Sequence, residues 1–387
     1  MLDRARKIEK QLIEIRREIH AYPELGFQEF KTSQKVSDVL TSLGIEHQRG
    51  IAKTGIVATL GDGSGPTVAL RADMDALPIQ EANEVPYKSQ TPGVMHACGH
   101  DAHTAMLLAV ARLLMERRDQ FAGTVKLVFQ PAEEGGGGAK VMIDEGVLED
   151  PKVDAAFGMH VAQEEPVGTI SLRPGPIMAA ADRFTMVIKG RGGHGAQPHL
   201  TIDPIVTGAQ IVTALQTIVS REIDPLDPAV VTVGAFRAGE ALNVIPDTAE
   251  LRGTVRSFSP AVRDQLATRI HELARGIARA MRAEIEIDYR YGYPVTINNA
   301  EMTALVRDVA QGVVGDDNVL EAPMHMGAED FSYFLERVPG CFYFVGSRNP
   351  EKGLVWGHHH PRFDIDEDAM AVGIETMTRV ALRYLAS

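Results

Sequence analysis

Side chains able to hold a metal or move a proton gather in a few short stretches of the sequence. His96-Ala-Cys98-Gly-His100-Asp101-Ala-His103 sets a thiol among three imidazoles. Arg71-Ala-Asp73-Met-Asp75 presents two carboxylates two residues apart, and Pro131-Ala-Glu133-Glu134 presents two side by side. Gly158-Met-His160 and Trp356-Gly-His358-His359-His360-Pro361 add further imidazoles. Thiolate, imidazole and carboxylate are the donors that bind zinc and similar divalent ions. Cys98 and His100 are too close for a structural zinc finger, and no Cys-x-x-Cys pair completes one. The mixed set suits a catalytic site, with donors enough for two metals. The Glu pair then has a division of labour. One carboxylate can bind metal while its neighbour takes a proton from water whose pKa the metal lowers. Taken singly, each stretch has an ordinary explanation. A lone His at a strand end is more often a hydrogen-bonded structural residue, a Glu pair a solvated surface, and a Cys a buried apolar residue.

These stretches can act together only if the fold brings them together. In open α/β sheets, ligands bind beyond the carboxyl ends of the strands. Pro66–Asp73, Thr124–Gln130 and Val153–His160 read as strands, and each runs into one of the stretches above. Gly55–Leu60 and Gly340–Gly346 read as further strands. Helices are predicted near the N-terminus (Ile8, Leu12, Ile15 and Ile19 at helical spacing) and over Thr32–Leu43, Asp101–Arg117, Ala139–Glu145 and Asp366–Ala386. From about Ala181 the order changes to β-α-β-β-α-β, the pattern of a small ferredoxin-like unit. Turn-rich Arg173-Pro-Gly-Pro176 and Tyr291-Gly-Tyr-Pro294 bound that block. The expectation is an α/β fold, a mixed sheet between helices, with an inserted α+β domain. The catalytic domain would comprise residues 1–180 and 294–387, and the insert residues 181–293.

Composition narrows the class. The chain has 387 residues, with 39 Lys plus Arg against 52 Asp plus Glu, and a net charge of −13. That balance lacks the basic footprint of a nucleic-acid binder. No run approaches the roughly 20 apolar residues of a membrane span. The charged N-terminus lacks the apolar core of a signal peptide. Two cysteines make no disulfide framework. The reading is a cytoplasmic protein without nucleic-acid or membrane partners.

The insert carries Gly190-Arg-Gly-Gly-His194-Gly-Ala-Gln-Pro-His199, without the spacing of a dinucleotide loop, and Ala241-Leu-Asn243-Val-Ile-Pro246. With these the chain resembles the dinuclear-metal amidohydrolase and exopeptidase family, which includes aminoacylases, carboxypeptidase G and succinyl-diaminopimelate desuccinylase. It looks closest to the hippurate hydrolase and auxin-conjugate hydrolase branch. The resemblance runs nearly end to end, from Arg16-Arg-Glu-Ile-His20-Ala-Tyr-Pro-Glu24-Leu-Gly-Phe27 through the stretches above to Gly327-Ala-Glu-Asp-Phe331 and His359-His-Pro361.

The resemblance implies a zinc-exopeptidase-like fold and two divalent ions per subunit (Zn, Mn, Co or Ni). Cys98, His100, Glu134, His160 and His359 would hold them, with His358 a rival for the last place. Glu133 would be general base and then general acid, and Asp75 would orient a metal ligand. His194 would stabilise the oxyanion, in its own subunit or across an interface, and Asn243 would hold substrate. The implied substrate is a small N-acyl amino acid, hippurate-like or N-acetylated. A dipeptidase or an N-acetyl-diaminopimelate deacetylase of the same family is the alternative. A homodimer or homotetramer is the implied assembly. Two rivals stand outside the family. A cysteine hydrolase using Cys98 would leave the Glu pair without a task, and a non-catalytic metal-dependent binder would not need Glu133.

Overall fold

The structure, a computed structural model, describes residues 2–386, and the side chains of residues 11–386. Ile8 of the predicted N-terminal stripe lies outside the described side chains. Two compact units are present. One runs to Gly175 and resumes over Ile297–Pro323 and from Asp330 onward; the other comprises Pro176–Thr296 and Met324–Glu329.

The larger unit is built on an eight-stranded sheet. In spatial order its strands are His47–Ile51, Gly55–Gly61, Thr124–Gln130, Thr67–Asp73, Ala155–Pro166, Gly340–Arg348, Ile170–Leu172 and Val319–Glu321. From Thr124–Gln130 to Gly340–Arg348 the four central strands are mutually parallel. Thr67–Asp73 and Thr124–Gln130 are buried at every position. That burial explains why TVALRAD and TVKLVFQ show no clean alternation, since helices cover both faces of a parallel sheet. Gly55–Gly61 pairs antiparallel with Thr124–Gln130, which makes the sheet mixed.

Helix His100–Met115 is buried along nearly its whole length, and helix Asp368–Leu385 buries Met370, Ile374, Met377 and Val380. Helix Leu2–Ala21 buries Leu12 and Ile19. Its fully buried Arg16 reaches Asp101 at 2.8 Å, Asp364 at 2.5 Å and Glu367 at 3.0 Å. One cation thereby joins three distant parts of the chain at the start of helix His100–Met115. A helix over Ala300–Val314 was not anticipated; Asn299 caps it by accepting from the Glu301 and Met302 amides.

The smaller unit is a four-stranded antiparallel sheet in the order Ala229–Ala238, Thr248–Ser257, Ala180–Lys189, Glu284–Tyr293. Helices Pro204–Thr217 and Pro260–Ala280 are capped by Asp203 and Ser259, each followed by Pro. Phe184, Met186, Ile188, Ile211, Leu251 and Ile270 belong to its own buried apolar cluster. This is the expected β-α-β-β-α-β arrangement. Met324–Glu329 lies outside the anticipated 181–293 block. Backbone bonds attach it, with the Ala179 amide donating to the His325 and Gly327 carbonyls and the His325 amide to Ile177.

Candidate metal centre

Parallel strands end together, and three of them deliver the chemistry-bearing residues. Strand Thr67–Asp73 ends on Asp73 and leads to Asp75, both buried. Strand Thr124–Gln130 leads through Pro131 and Ala132 to Glu133 and Glu134. His160 lies within strand Ala155–Pro166, in register with Phe344 of the neighbouring strand.

The Cys98–His100 stretch enters helix His100–Met115 through Gly99, at φ 89°. A Cβ there would fall 2.4 Å from Val161 Cγ2. Glycine between the thiol and the imidazole is thus required twice, by backbone and by space.

Hydrogen bonds set which nitrogen each imidazole presents. His100 Nδ1 bonds the Asp75 carbonyl at 2.9 Å, while its buried Nε2 has no hydrogen-bond partner. His160 Nδ1 bonds the Val161 carbonyl at 2.7 Å, and its Nε2 stands 3.5 Å from Cys98 Sγ. Donation through Nδ1 leaves Nε2 as the lone-pair donor, the usual way a carbonyl fixes a ligand histidine. His358 Nε2 bonds the same Val161 carbonyl at 2.9 Å and is occupied by that bond, although its ring packs 5.2 Å from that of His160. His359, at φ 64°, instead stands with Nε2 3.2 Å from Glu134 Oε1. The Trp356 ring stacks on His360 at 4.3 Å, which accounts for the third histidine of the run.

Asp75 takes no place in the donor groups. Its Oδ1 and Oδ2 accept the amides of Glu133 and Glu134, each at 2.9 Å. One carboxylate thereby fixes the two residues from which different roles are expected.

Donor atoms of Cys98, His100 and His160 lie within 4.8 Å of one another, as do those of Cys98, Glu134 and His359, and those of His100, Glu133 and Glu134. Cys98, His100 and Glu134 each belong to two of these groups, which links the three into one continuous donor cluster. Bonds of about 2.0–2.3 Å to one ion require donor separations of roughly 3–4 Å, within the 4.8 Å over which each group closes.

Charge supports the same reading. Burial opposes a proton on His100, but Asp73, Asp75 and Glu134 outweigh it and hold the pKa at about 10. The pocket therefore favours positive charge where His100 Nε2 points. Burial, then Glu134 and Glu133, push the Cys98 thiol well above its usual range. A bound cation reverses that, since a coordinating thiol is deprotonated. Burial, reinforced by His103 and His358, holds His160 well below the usual histidine range, neutral and ready to ligate. The donor set, a His100 Nε2 with no hydrogen bond and only Asp73 Oδ2 at 3.7 Å, and the anionic field fit divalent metal.

A supporting network lay beyond the sequence reading. Asp73 Oδ1 bonds His103 Nδ1 at 2.6 Å, and Asp73 Oδ2 pairs with Arg71 at 2.6 Å. Arg71 also reaches Asp330 at 2.9 Å, and Gln130 bonds both oxygens of Asp330. His103 Nε2 accepts from the Val161 amide. Burial raises the Asp73 pKa, yet Arg71, His100 and His103 drive it well below the usual carboxylate range. Asp73 and His103 also close a donor group with His100, but their atoms are engaged by Arg71, by each other and by the Val161 amide.

Within the smaller unit, the predicted His194 and Asn243 are neighbours. His194 pairs with Val244 across two short strands, and the Gly195 amide donates to the Asn243 carbonyl at 2.8 Å. Both residues are exposed.

Comparison with known proteins gives one consistent result. Residues 69–383 match the model of Peptidase family M20/M25/M40. The chain is 43% identical over 378 residues to the IAA-amino acid hydrolase ILR1-like 4 of Arabidopsis thaliana, covering 97% of this chain and 86% of that one. It is 43% identical over 381 residues to the N-acetyl-L-cysteine deacetylase of Bacillus subtilis (strain 168), covering 98% and 89%. The crystal structure of Bacillus subtilis YXEP protein, a dinuclear metal binding peptidase of the M20 family, superposes with TM-score 0.86 at 38% identity, covering 99% of each chain.

Proposed function

Because the chain belongs to the Peptidase family M20/M25/M40 and hydrolyses the amide C–N bond of acyl amino acids, we propose which of its residues carry that reaction and on which substrates. In this reading the protein holds two divalent ions, which its clustered donor atoms support. Cys98, His100, Glu134, His160 and His359 are their ligands in this reading. When bound, the ions supply Lewis acidity for the carbonyl and ease deprotonation of water. Glu133 accepts the proton of the attacking water and delivers it to the departing nitrogen, so the amide becomes a carboxylate and a free amine. Asp75 keeps Glu133 and Glu134 at fixed separation through their amides. His194 and Asn243 are assigned to the developing oxyanion and to substrate, in the same subunit or a partner.

The observation that carries this reading is the Glu133–Glu134 pair. Both amides are held by Asp75, and both carboxylates fall in one donor group with His100. A cysteine hydrolase gives that arrangement no task, and a binder needs only Glu134. The substrates proposed are N-benzoyl and N-acetyl amino acids. Zn, Mn, Co and Ni are the candidate metals, and a homodimer or homotetramer in the cytoplasm is the expected state.

The test is a panel of N-benzoyl and N-acetyl amino acids and a dipeptide, assayed with each metal. Hydrolysis of the acyl amino acids is expected. Glu133→Gln should lower kcat by about 10²–10⁴-fold with metal content unchanged. Cleavage of the dipeptide alone would shift the assignment to a dipeptidase.

A further inference from the structure

The loop that presents the Glu pair is not in a relaxed conformation. Ala132, directly before Glu133, has φ 54°, which non-glycine residues adopt only where their surroundings hold them. Its amide donates to Glu29 Oε1 at 2.9 Å. The next two amides donate to Asp75. Three successive N–H groups therefore end on two buried carboxylates, and nothing in the reaction scheme so far uses Glu29.

Glu29 is fully buried and stands at the N-cap position of helix Phe30–Ser42. A side chain there ordinarily accepts from the first turn. Glu29 makes no capping bond. Glu24 does that work, accepting the Lys31 amide at 2.9 Å and the Thr32 amide at 3.0 Å. The Glu29 carboxylate is thereby released from its helix. Its Oε1 also accepts the amide of Phe27, at φ 61°, at 3.0 Å, and its Oε2 accepts the Thr54 hydroxyl at 2.5 Å. Thr54 follows Ala52 and Lys53, both at positive φ. One carboxylate thus ties together three left-handed kinks. Packing leaves the loop little room, since a Cβ at Gly26 would lie 3.0 Å from Ala132 Cβ and one at Gly136 only 2.7 Å from it.

We propose that Glu29 is a positioning residue for amide hydrolysis: it holds the Ala132 peptide and so aims Glu133 at the proton it carries and Glu134 at the metals. This rests on the assignment of Glu133 as proton carrier. What matters is the reach and acceptor oxygen of Glu29 rather than its charge. A glutamine keeps one oxygen for the Phe27 and Ala132 amides and offers N–H to the Thr54 hydroxyl. An aspartate keeps the charge and loses the reach.

The test compares Glu29→Ala, Glu29→Gln and Glu29→Asp in the metal-loaded full chain, with bound metal and thermal transition measured for each. A misplacement near 1 Å costs on the order of 10²-fold, so Glu29→Ala should lose about that in kcat while KM stays within about threefold. Glu29→Gln should stay within about threefold of wild type in kcat, and Glu29→Asp should fall at least about tenfold. Wild-type kcat in Glu29→Ala, or a loss confined to KM, overturns the proposal. If Glu29→Ala does not fold, the Gln and Asp variants decide, and equal kcat in those two overturns it. Failure of the wild-type chain to hydrolyse any N-acyl amino acid would instead overturn the functional reading, and this inference with it.

Discussion

At the scale of residues, three adjacent histidines have three different surroundings. His358 is bonded to the Val161 carbonyl, His359 faces Glu134, and His360 is stacked on Trp356. Sequence alone cannot separate His358 from His359, because the partners of both lie more than 190 residues away along the chain. The backbone also distinguishes them, since of the three only His359 has a positive φ, 64°. His359→Ala should therefore bind fewer than two ions per chain and lose most of its activity. His358→Ala should keep both ions, with its main effect on the alignment of the Val161 peptide. Metal analysis of the two purified variants checks this, and equal metal loss in both would contradict it. Cys98, His100, Glu133 and Glu134 were legible because their donor types cluster within a few residues. Glu24 and Glu29 were not, since each looks like an ordinary surface acid until its partners are seen.

At the scale of elements, the start of helix His100–Met115 is the junction on which the site depends. Asp101 meets Arg16 and His20 there, each at 2.8 Å, and His20 also meets Glu81 at 3.2 Å. Burial disfavours a charged His20, but Asp101 and Glu81 outweigh it and lift its pKa from 6.5 to about 9. A pKa raised by folding stabilises fully below the unfolded value and loses that contribution as pH rises through the folded one. The His20 contribution should thus be intact below pH 6.5 and be lost progressively as pH rises from 6.5 to about 9. Breaking a buried pair of this kind costs about 3–5 kcal/mol. Urea midpoints of wild type should fall across that range, and those of His20→Gln should start lower and vary less. A flat wild-type profile would contradict the charged pair. Apart from helix Ala300–Val314, the long elements were legible from apolar spacing, including the strands whose ends carry the site. Strand His47–Ile51 was missed because most of it is exposed at the sheet edge and lacks alternation. The paired Arg71, Asp73, His103 and Asp330 were also hidden, since 259 residues separate Arg71 from Asp330.

At the scale of the whole molecule, metal binding and stability are one equilibrium. The donor groups crowd carboxylates, a thiol and imidazoles together, from buried His100 and Glu133 to exposed His359, and the field they create asks for a cation. Ions bound only by the folded chain stabilise it by about 2.7 kcal/mol at a hundredfold excess over the dissociation constant. Chelation should lower the thermal midpoint by several degrees, and re-addition of metal should restore it together with activity. The α/β order with an interposed β-α-β-β-α-β block was readable from the alternation of elements. The attachment of Met324–Glu329 to the smaller unit was not, because it rests on backbone bonds to Ile177 and Ala179 rather than on any pattern of side chains. In the proposed reaction two ions and Glu133 act together to cleave the amide bond. Its most direct test titrates metal into stripped protein while bound ions and hydrolysis of an N-acyl amino acid are followed in the same samples. Activity should be absent without metal and saturate at two ions per chain, while Glu133→Gln binds the same two ions and stays below about 1% of wild type. Turnover by the metal-free chain, or near-normal turnover by Glu133→Gln, would contradict it.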